Sequence, residues 1–319
     1  MPLPTRPWRA VLLALGAGLA PLIALPSRAD TVPPPLRFVV IPKLPHPWFD
    51  AVRGGAEEAA AMISRQSGAP ATVDYRPPAR AEVALQAGIL REAIASRPSG
   101  ISIDLLDPVQ LRPLLEQARR QGIPLNVFDS EPPDGLPITS VGTDYCRQAQ
   151  IASERLVTLL GGRGEVAIMQ GVPTAPNHAI RVRCHRQVFA RHPGIRVVAS
   201  PIDQDSIRTA EQQARATLQA HPRLRGWVVA DAGGGIGVAR AIQSLGRTGQ
   251  VKVVALDDLP DVLQLIRSGV VDSTAASKPR SQGYWSVLSL WQQGLGAPPI
   301  QRIDTGIGVV GGGAASPSP

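Results

Sequence analysis

Residues 226–258 read GWVVADAGGGIGVARAIQSLGRTGQVKVVALDD. Two short apolar runs, Gly226 to Val229 and Val251 to Leu256, flank a segment with helical patterning from Gly235 to Leu245. That order is a strand, a crossover helix and a second strand, so the strands are expected to lie parallel with a right-handed connection. Both runs lead straight into carboxylates, Asp231 and Asp257. The same ending recurs at Gly100 to Asp107 (GISIDLLD) and Pro124 to Asp129 (PLNVFD). Ligands of helix-covered parallel sheets bind just beyond the carboxyl ends of the strands, which makes Asp107, Asp129, Asp231 and Asp257 candidates for one polar cleft. Each could instead be the N-cap of the following helix, accepting its free N–H groups. Capping by itself explains less well why all four would share one sheet edge.

Nearer the N-terminus, Leu36 to Ile41 (LRFVVI) reads as a first strand, followed by a proline-bearing loop and a helix from about Trp48. Val52, Ala56, Ala59 and Ile63 give that helix the stripe that packs on a sheet. Strands at Ala71 to Tyr75, Gly100 to Ile103 and Pro124 to Phe128 alternate with helices through Val83 to Ile94 and Leu111 to Ala118. Ile138 to Thr143 is a short extended piece suited to crossing between domains. The alternation then restarts, with helices expected at Asp144 to Leu160, Asn177 to Arg191 and Ser206 to Ala220. The expected architecture is α/β: two similar doubly wound parallel-sheet lobes joined by a multi-segment hinge. The first lobe is expected to comprise 30–141 and 278–300, the second 142–277 and 301–310, and 311–319 a flexible tail.

The N-terminus carries Arg6 and Arg9, an apolar core from Ala10 to Leu25, and Ser27-Arg28-Ala29, a small-x-small cleavage pattern. It reads as a secretory signal over 1–29, too short in its apolar core for a membrane span and interrupted by Pro21. Formal charge falls by three, from +8 to +5, when Arg6, Arg9 and Arg28 leave with it. No dense Lys/Arg run occurs, and export argues further against nucleic acid. Arg181, Arg183, Arg186 and Arg191 cluster on one expected helix, as an anionic contact or a solvated face. Cys146 and Cys184 fall in the first halves of two expected helices; the exported compartment permits a disulfide, and two buried thiols are the alternative. No Cys/His spacing resembles a zinc site.

Seven ordered motifs carry a family resemblance that extends from about Leu36 to Gly294: IPKLPHPWFDAVRGGAEEAA, GIPLNVFDSE, SVGTDY, NHAIRVRCHRQVF, WVVADAGGGIGVARAI, VVALDDLPDVLQLIRSG and ASKPRSQGYWSV. In these the chain resembles the exported solute-binding proteins of the type I periplasmic binding fold, in the ribose, rhamnose and furanosyl-autoinducer group. The resemblance implies a clamp that closes over a small polyhydroxylated ligand for an ABC importer. A sensor that presents its liganded form to a membrane histidine kinase is the alternative. It implies no reaction and no cofactor, and a monomer is expected.

Lys43, His46, Trp48 and Phe49 follow the first strand, where aromatic rings can lie against a sugar and polar groups bond its hydroxyls. Asp129 and Asp257 match family aspartates that accept from ligand hydroxyls. Arg181 falls on a family arginine, although the R-x-x-G-F pattern is altered here to Arg181-Val-Arg-Cys184-His. Asn177 is a helix cap or a ligand contact. Lys43 points to the rhamnose and autoinducer binders, and Lys278 stands where the ribose-type pattern has glutamine, which makes an electronegative ligand group an expectation, with pairing to an acidic residue as the alternative.

Other chemistries fit poorly. The glycines at Gly233, Gly234, Gly235 and Gly237 lack G-x-G-x-x-G spacing, which excludes a dinucleotide site on that pattern. Asp203 and Asp205 form an i, i+2 loop pair that assigns neither carboxyl role of a glycosidase, and no Ser-His-Asp elbow is present.

Overall fold

The computed structural model describes residues 33–312. The expected secretory signal, and the tail beyond Gly312, lie outside the described residues. In chain order the elements are β1 (Leu36–Ile41), α1 (Pro47–Ser67), β2 (Ala71–Tyr75), α2 (Val83–Ala95), β3 (Gly100–Ile103), α3 (Pro108–Arg120), β4 (Leu125–Phe128) and β5 (Thr139–Gly142). Then follow α4 (Tyr145–Leu159), β6 (Gly164–Met169), α5 (Pro176–Ala190), β7 (Ile195–Ala199), α6 (Ile207–Ala220), β8 (Leu224–Val229), α7 (Gly234–Ser244) and β9 (Lys252–Leu256). The chain continues through α8 (Pro260–Arg267), β10 (Ser273–Ala276), α9 (Pro279–Gly294), β11 (Arg302–Asp304) and β12 (Gly308–Gly311).

The strands form two six-stranded sheets, ordered β11-β5-β4-β3-β1-β2 and β12-β10-β9-β8-β6-β7. All pairings are parallel except β10 with β12. Strands β3 and β4 are buried along their whole length, as expected for strands covered by helices on both faces. The chain passes from one sheet to the other between β5 and α4, between β10 and α9, and between β11 and β12. Three crossings make the hinge.

Two segments depart from the expected lobe boundaries. Arg302–Asp304, expected with the second lobe, pairs with β5 and closes an open edge of the first sheet. The Arg302 guanidinium reinforces the pairing by donating to the Thr143 carbonyl and, at 2.8 Å, to Glu131. Gly311, expected in the tail, ends β12, where Ser273 is its register partner on β10.

Helix α9 returns to the first lobe and packs on α1. The approach is so close that a Cβ on Gly55 would sit 1.8 Å from the Arg280 carbonyl oxygen, and one on Gly283 would sit 1.9 Å from that of Val52. Only glycine permits that contact. Asn126 on β4, buried beneath α9, donates from Nδ2 to the Ser286 carbonyl at 2.7 Å and to Ser289 Oγ at 2.8 Å, which ties β4 to the helix above it. In the second lobe Cys146 of α4 and Cys184 of α5 are joined by a disulfide, 38 residues apart in sequence. Closing a loop of that length stabilises a fold by about 4 kcal/mol on the chain-entropy account.

Candidate functional site

Parallel strand order places the carboxyl ends of both sheets on one edge each, and the two edges face one another across a cavity. Its lining comes from Lys43, His46, Trp48 and Phe49 after β1, and from Asp129 after β4. The second lobe adds His178 and Arg181 of α5, Asp205 after β7, Ala232 after β8 and Asp257 after β9. The cavity has a volume of about 10 Å³, room for about one water as the lobes stand.

Three of the lining aspartates share a backbone feature. Asp129, Asp205 and Asp257 have φ of 42°, 60° and 61°. This left-handed conformation costs a non-glycine residue on the order of 1 kcal/mol or more, though aspartate tolerates it better than most. Two of them are held there by the neighbouring strand: the Asp129 N–H donates to the Val141 carbonyl at 2.9 Å, and that of Asp257 to the Ala275 carbonyl at 3.2 Å. The chain thus turns sharply out of each strand and presents the carboxylate to the cleft.

Lys43 is buried, with Nζ 3.0 Å from Asp104 Oδ2 and 3.6 Å from Asp129 Oδ2. Burial pulls its pKa down, yet the charges of Asp104, Asp129 and Asp205 outweigh that and hold it above the ordinary lysine range. Asp129 also accepts from Asn177 Nδ2 at 2.7 Å and lies 3.6 Å from Arg181 Nη2. Arg181 in turn donates from Nε to Gln148 at 2.9 Å and from Nη1 to the Ala230 carbonyl at 3.1 Å, with its guanidinium 5.0 Å over the Tyr145 ring.

Both histidines of the cleft have a defined orientation. His178 Nδ1 accepts from the Val172 N–H at 2.8 Å. Burial, with Lys43 and Arg181 nearby, pushes its pKa well below the usual histidine range. It is therefore neutral, and this hydrogen bond places its proton on Nε2, 3.5 Å from Lys43 Nζ. His46 caps α1, its Nδ1 accepting from the Trp48 N–H at 3.2 Å, and its Nε2 is buried without a protein partner at the cavity wall.

Trp48 and Phe49 meet edge to face, with centroids 5.1 Å apart. Each is both a helix-start core residue and part of the cavity wall, at 4% and 2% exposure. Trp48 Nε1 donates across the lobes to Ser277 Oγ at 3.2 Å, and Ser277 donates from its backbone N–H, at 2.9 Å, and from its hydroxyl to Asp257 Oδ1.

Three expected site residues stand elsewhere. Asp107 caps α3, accepting from the N–H groups of Val109 and Gln110 at 2.9 Å each. Asp231 accepts from the N–H groups of Gly233 and Gly234 at 3.1 and 2.9 Å, so it shapes the turn into α7 behind the cavity wall. Lys278 is solvent-exposed at the start of α9 and faces Asp258. With Lys278 outside the cavity, the expectation of an electronegative ligand group loses its basis. Among the described residues no cation lies within ion-pair distance of Asp205 or Asp257. The cavity has a surplus of carboxylate.

Other residues joined the site unannounced. Asp104 follows β3 directly, three positions before the aspartate that the sequence pattern favoured. His178 sits beside Asn177, and Asp205 was weighed only as a glycosidase carboxyl. Behind them, Asp203 and Asp231 form a buried acid pair whose facing oxygens lack other donors. Burial and the charge of Asp205 push Asp203 up to about 7. Burial, with Asp203 and Asp205, holds Asp231 well above the carboxylate range. Such a pair shares a proton at neutral pH.

Two sheet-and-helix lobes with a polar cavity at their facing strand ends define a two-lobed small-ligand receptor. The family described as periplasmic binding protein domain matches residues 38–297, and the chain belongs to it. Among curated relatives, the D-ribose/D-allose-binding protein of Pseudomonas aeruginosa is 24% identical over 301 residues, 92% of each chain. Among solved structures, an ABC transporter solute-binding protein from Burkholderia graminis in complex with D-arabinose is 29% identical. It superposes with a TM-score of 0.80, covering 86% of this chain and 95% of that one. One from Agrobacterium vitis, bound with α-D-tagatopyranose, is 27% identical with a TM-score of 0.81, covering 87% and 95%.

Proposed function

We propose that this protein is the exported substrate-binding component of an ABC importer and that its ligand is a neutral monosaccharide or related polyol. The observation that carries this is the composition of the cavity wall: the aromatic side chains Trp48 and Phe49, N–H donors from Lys43, His46, His178 and Arg181, and the carboxylates Asp129, Asp205 and Asp257. A sugar has an apolar ring face and hydroxyls that both donate and accept, and such a wall can satisfy each of them. Binding occurs without reaction. The carboxylate surplus disfavours sugar acids and sugar phosphates, whose charge would face Asp205 and Asp257 without a free cation.

Opening of the hinge admits the ligand, and closure buries it between the two sheet edges. Selectivity then arises because any buried donor or acceptor left unpaired costs about 1 to 3 kcal/mol. The secretory signal read over residues 1–29 supports export to the periplasm. Delivery to a permease rather than to a sensor kinase rests on the names of the relatives, and co-purification with either membrane partner separates the two.

The test is a thermal-shift screen with D-ribose, D-allose, D-arabinose, D-tagatose and xylitol, set against D-galacturonate and D-ribose 5-phosphate. A neutral compound raising the melting temperature, with no rise from the anions, is expected. A rise from the anions alone would overturn the ligand class.

A further inference from the structure

We infer that the Cys146–Cys184 disulfide is a positioning device for Arg181, setting the affinity of the cleft as well as the stability of the lobe. The inference rests on the reading of the cleft given above. Arg181 has no local reason to hold its pose: its side chain crosses from α5 toward Asp129 of the other lobe, 3.6 Å away. Besides the Ala230 carbonyl, 3.1 Å from Nη1, what holds it is α4. Gln148 accepts from Nε at 2.9 Å and Tyr145 lies 5.0 Å beneath the guanidinium. The cradle and the arginine therefore sit on different helices, and their register decides whether the guanidinium faces the cavity.

The disulfide ties that register at the cradle itself. Cys146 lies between Tyr145 and Gln148, and Cys184 is one turn along α5 from Arg181. The Cα atoms are 5.4 Å apart, so the two helix faces are bridged beside the Arg181 contact and not at a distant end. Gln148 is itself held by donating to the Ala275 carbonyl at 2.8 Å, which fixes α4 against β10. The chain of restraint runs from β10 through Gln148 and α4 to the disulfide, α5 and Arg181. This also accounts for the altered R-x-x-G-F pattern, since the position after Arg181-Val-Arg is the cysteine that closes the bridge.

Loss of a merely structural disulfide would lower stability and affect every ligand contact alike, whereas loss of a positioning one acts through Arg181. The test replaces the pair with Cys146→Ala and Cys184→Val, and in parallel reduces the wild-type protein with a dithiol. That reagent becomes a disulfide while the two cysteines become thiols. Two readouts are taken on folded protein well below its melting temperature. In arginine-labelled protein the Arg181 Nε–H resonance is expected to be protected when oxidised and to exchange freely once the bridge is gone. Affinity for D-arabinose or D-allose, whichever binds the oxidised protein, is expected to fall at least about tenfold, but less than about twofold in an Arg181→Lys background.

An unchanged Arg181 resonance, or equal loss of affinity in both backgrounds, would overturn the inference. Should the double variant fail to fold, the reduced wild-type protein supplies the same readouts. If neither sugar binds the oxidised wild type, the reading of the cleft fails, and the resonance still decides the role of the disulfide.

Discussion

Asn177 donates from Nδ2 to Oδ2 of Asp129 across 2.7 Å, a direct bond between the first turn of α5 and the end of β4. It joins the two lobes at the cavity wall, and the same carboxylate faces Lys43 and Arg181. One acidic side chain thus organises donors from both halves of the clamp.

Replacing Asp129 with alanine removes the acceptor for all of these groups and leaves two buried cations with less compensation. Hydrogen bonds to charged groups are worth about 1.5 to 3 kcal/mol each, so affinity should fall by roughly 10- to 100-fold. Titration calorimetry with the best ligand of the screen measures this. Asp257→Ala should behave similarly, because Asp257 both lines the cavity and anchors Ser277, the acceptor of the Trp48 indole N–H.

Lys43→Met would leave Asp104 and Asp129 facing each other in a buried site without their shared cation. Breaking a buried pair in this way costs about 3 to 5 kcal/mol, so the melting temperature should drop by at least about 6 °C. Calorimetric unfolding of the variant checks it. A loss below about 1 °C would mean that Lys43 does not carry the compensation assigned to it.

The Asp203–Asp231 pair makes stability depend on pH. Asp203 is raised from 3.8 to about 7 in the folded chain. The native state therefore holds a proton that the unfolded state releases once pH exceeds the unfolded value. Its contribution is fully present below the unfolded pKa and is lost as pH rises toward 7, so the stability that Asp203 contributes falls across that window. Asp203→Asn keeps an acceptor for the Asp205 N–H and supplies a permanent donor toward Asp231. The variant should gain more than about 2 °C over wild type at pH 8, roughly 1 kcal/mol, and little or nothing at pH 5.

At the junction of α1 and α9, Gly283→Ala places a methyl group against the Val52 carbonyl oxygen, where an ideal Cβ would lie 1.9 Å away. Backbone must move to accommodate it. Overpacking of this kind costs about 1 to 3 kcal/mol, so the urea midpoint should fall. Gly294→Ala on the same helix has open space around its Cβ and should leave the midpoint nearly unchanged.

Much of this arrangement was legible in the chain. Apolar runs such as VKVVAL can be buried only as strands of a covered sheet, and their alternation with amphipathic segments dictates parallel pairing. Parallel pairing in turn puts Asp129 and Asp257 at the cavity edge, because the period of strand and helix is a local property. The family resemblance added Arg181 and the loop from Lys43 to Phe49 on motifs that are contiguous in sequence.

Which aspartates line the cavity was decided only by the tertiary structure. Asp107 and Asp129 both follow apolar runs, but Asp107 turns back to the open N–H groups of α3 while Asp129 faces three donors. Asp104, a strand end without a helix of its own to cap, becomes the counter-charge of Lys43 because β1 and β3 are neighbours in the sheet. The same holds for the cysteines: spacing permitted a bridge, and the crossing of α4 and α5 brings their Cα atoms to 5.4 Å. Patterning is written locally and survives in one dimension; charge pairing depends on which strand ends and helix faces meet, and only the folded chain brings them together.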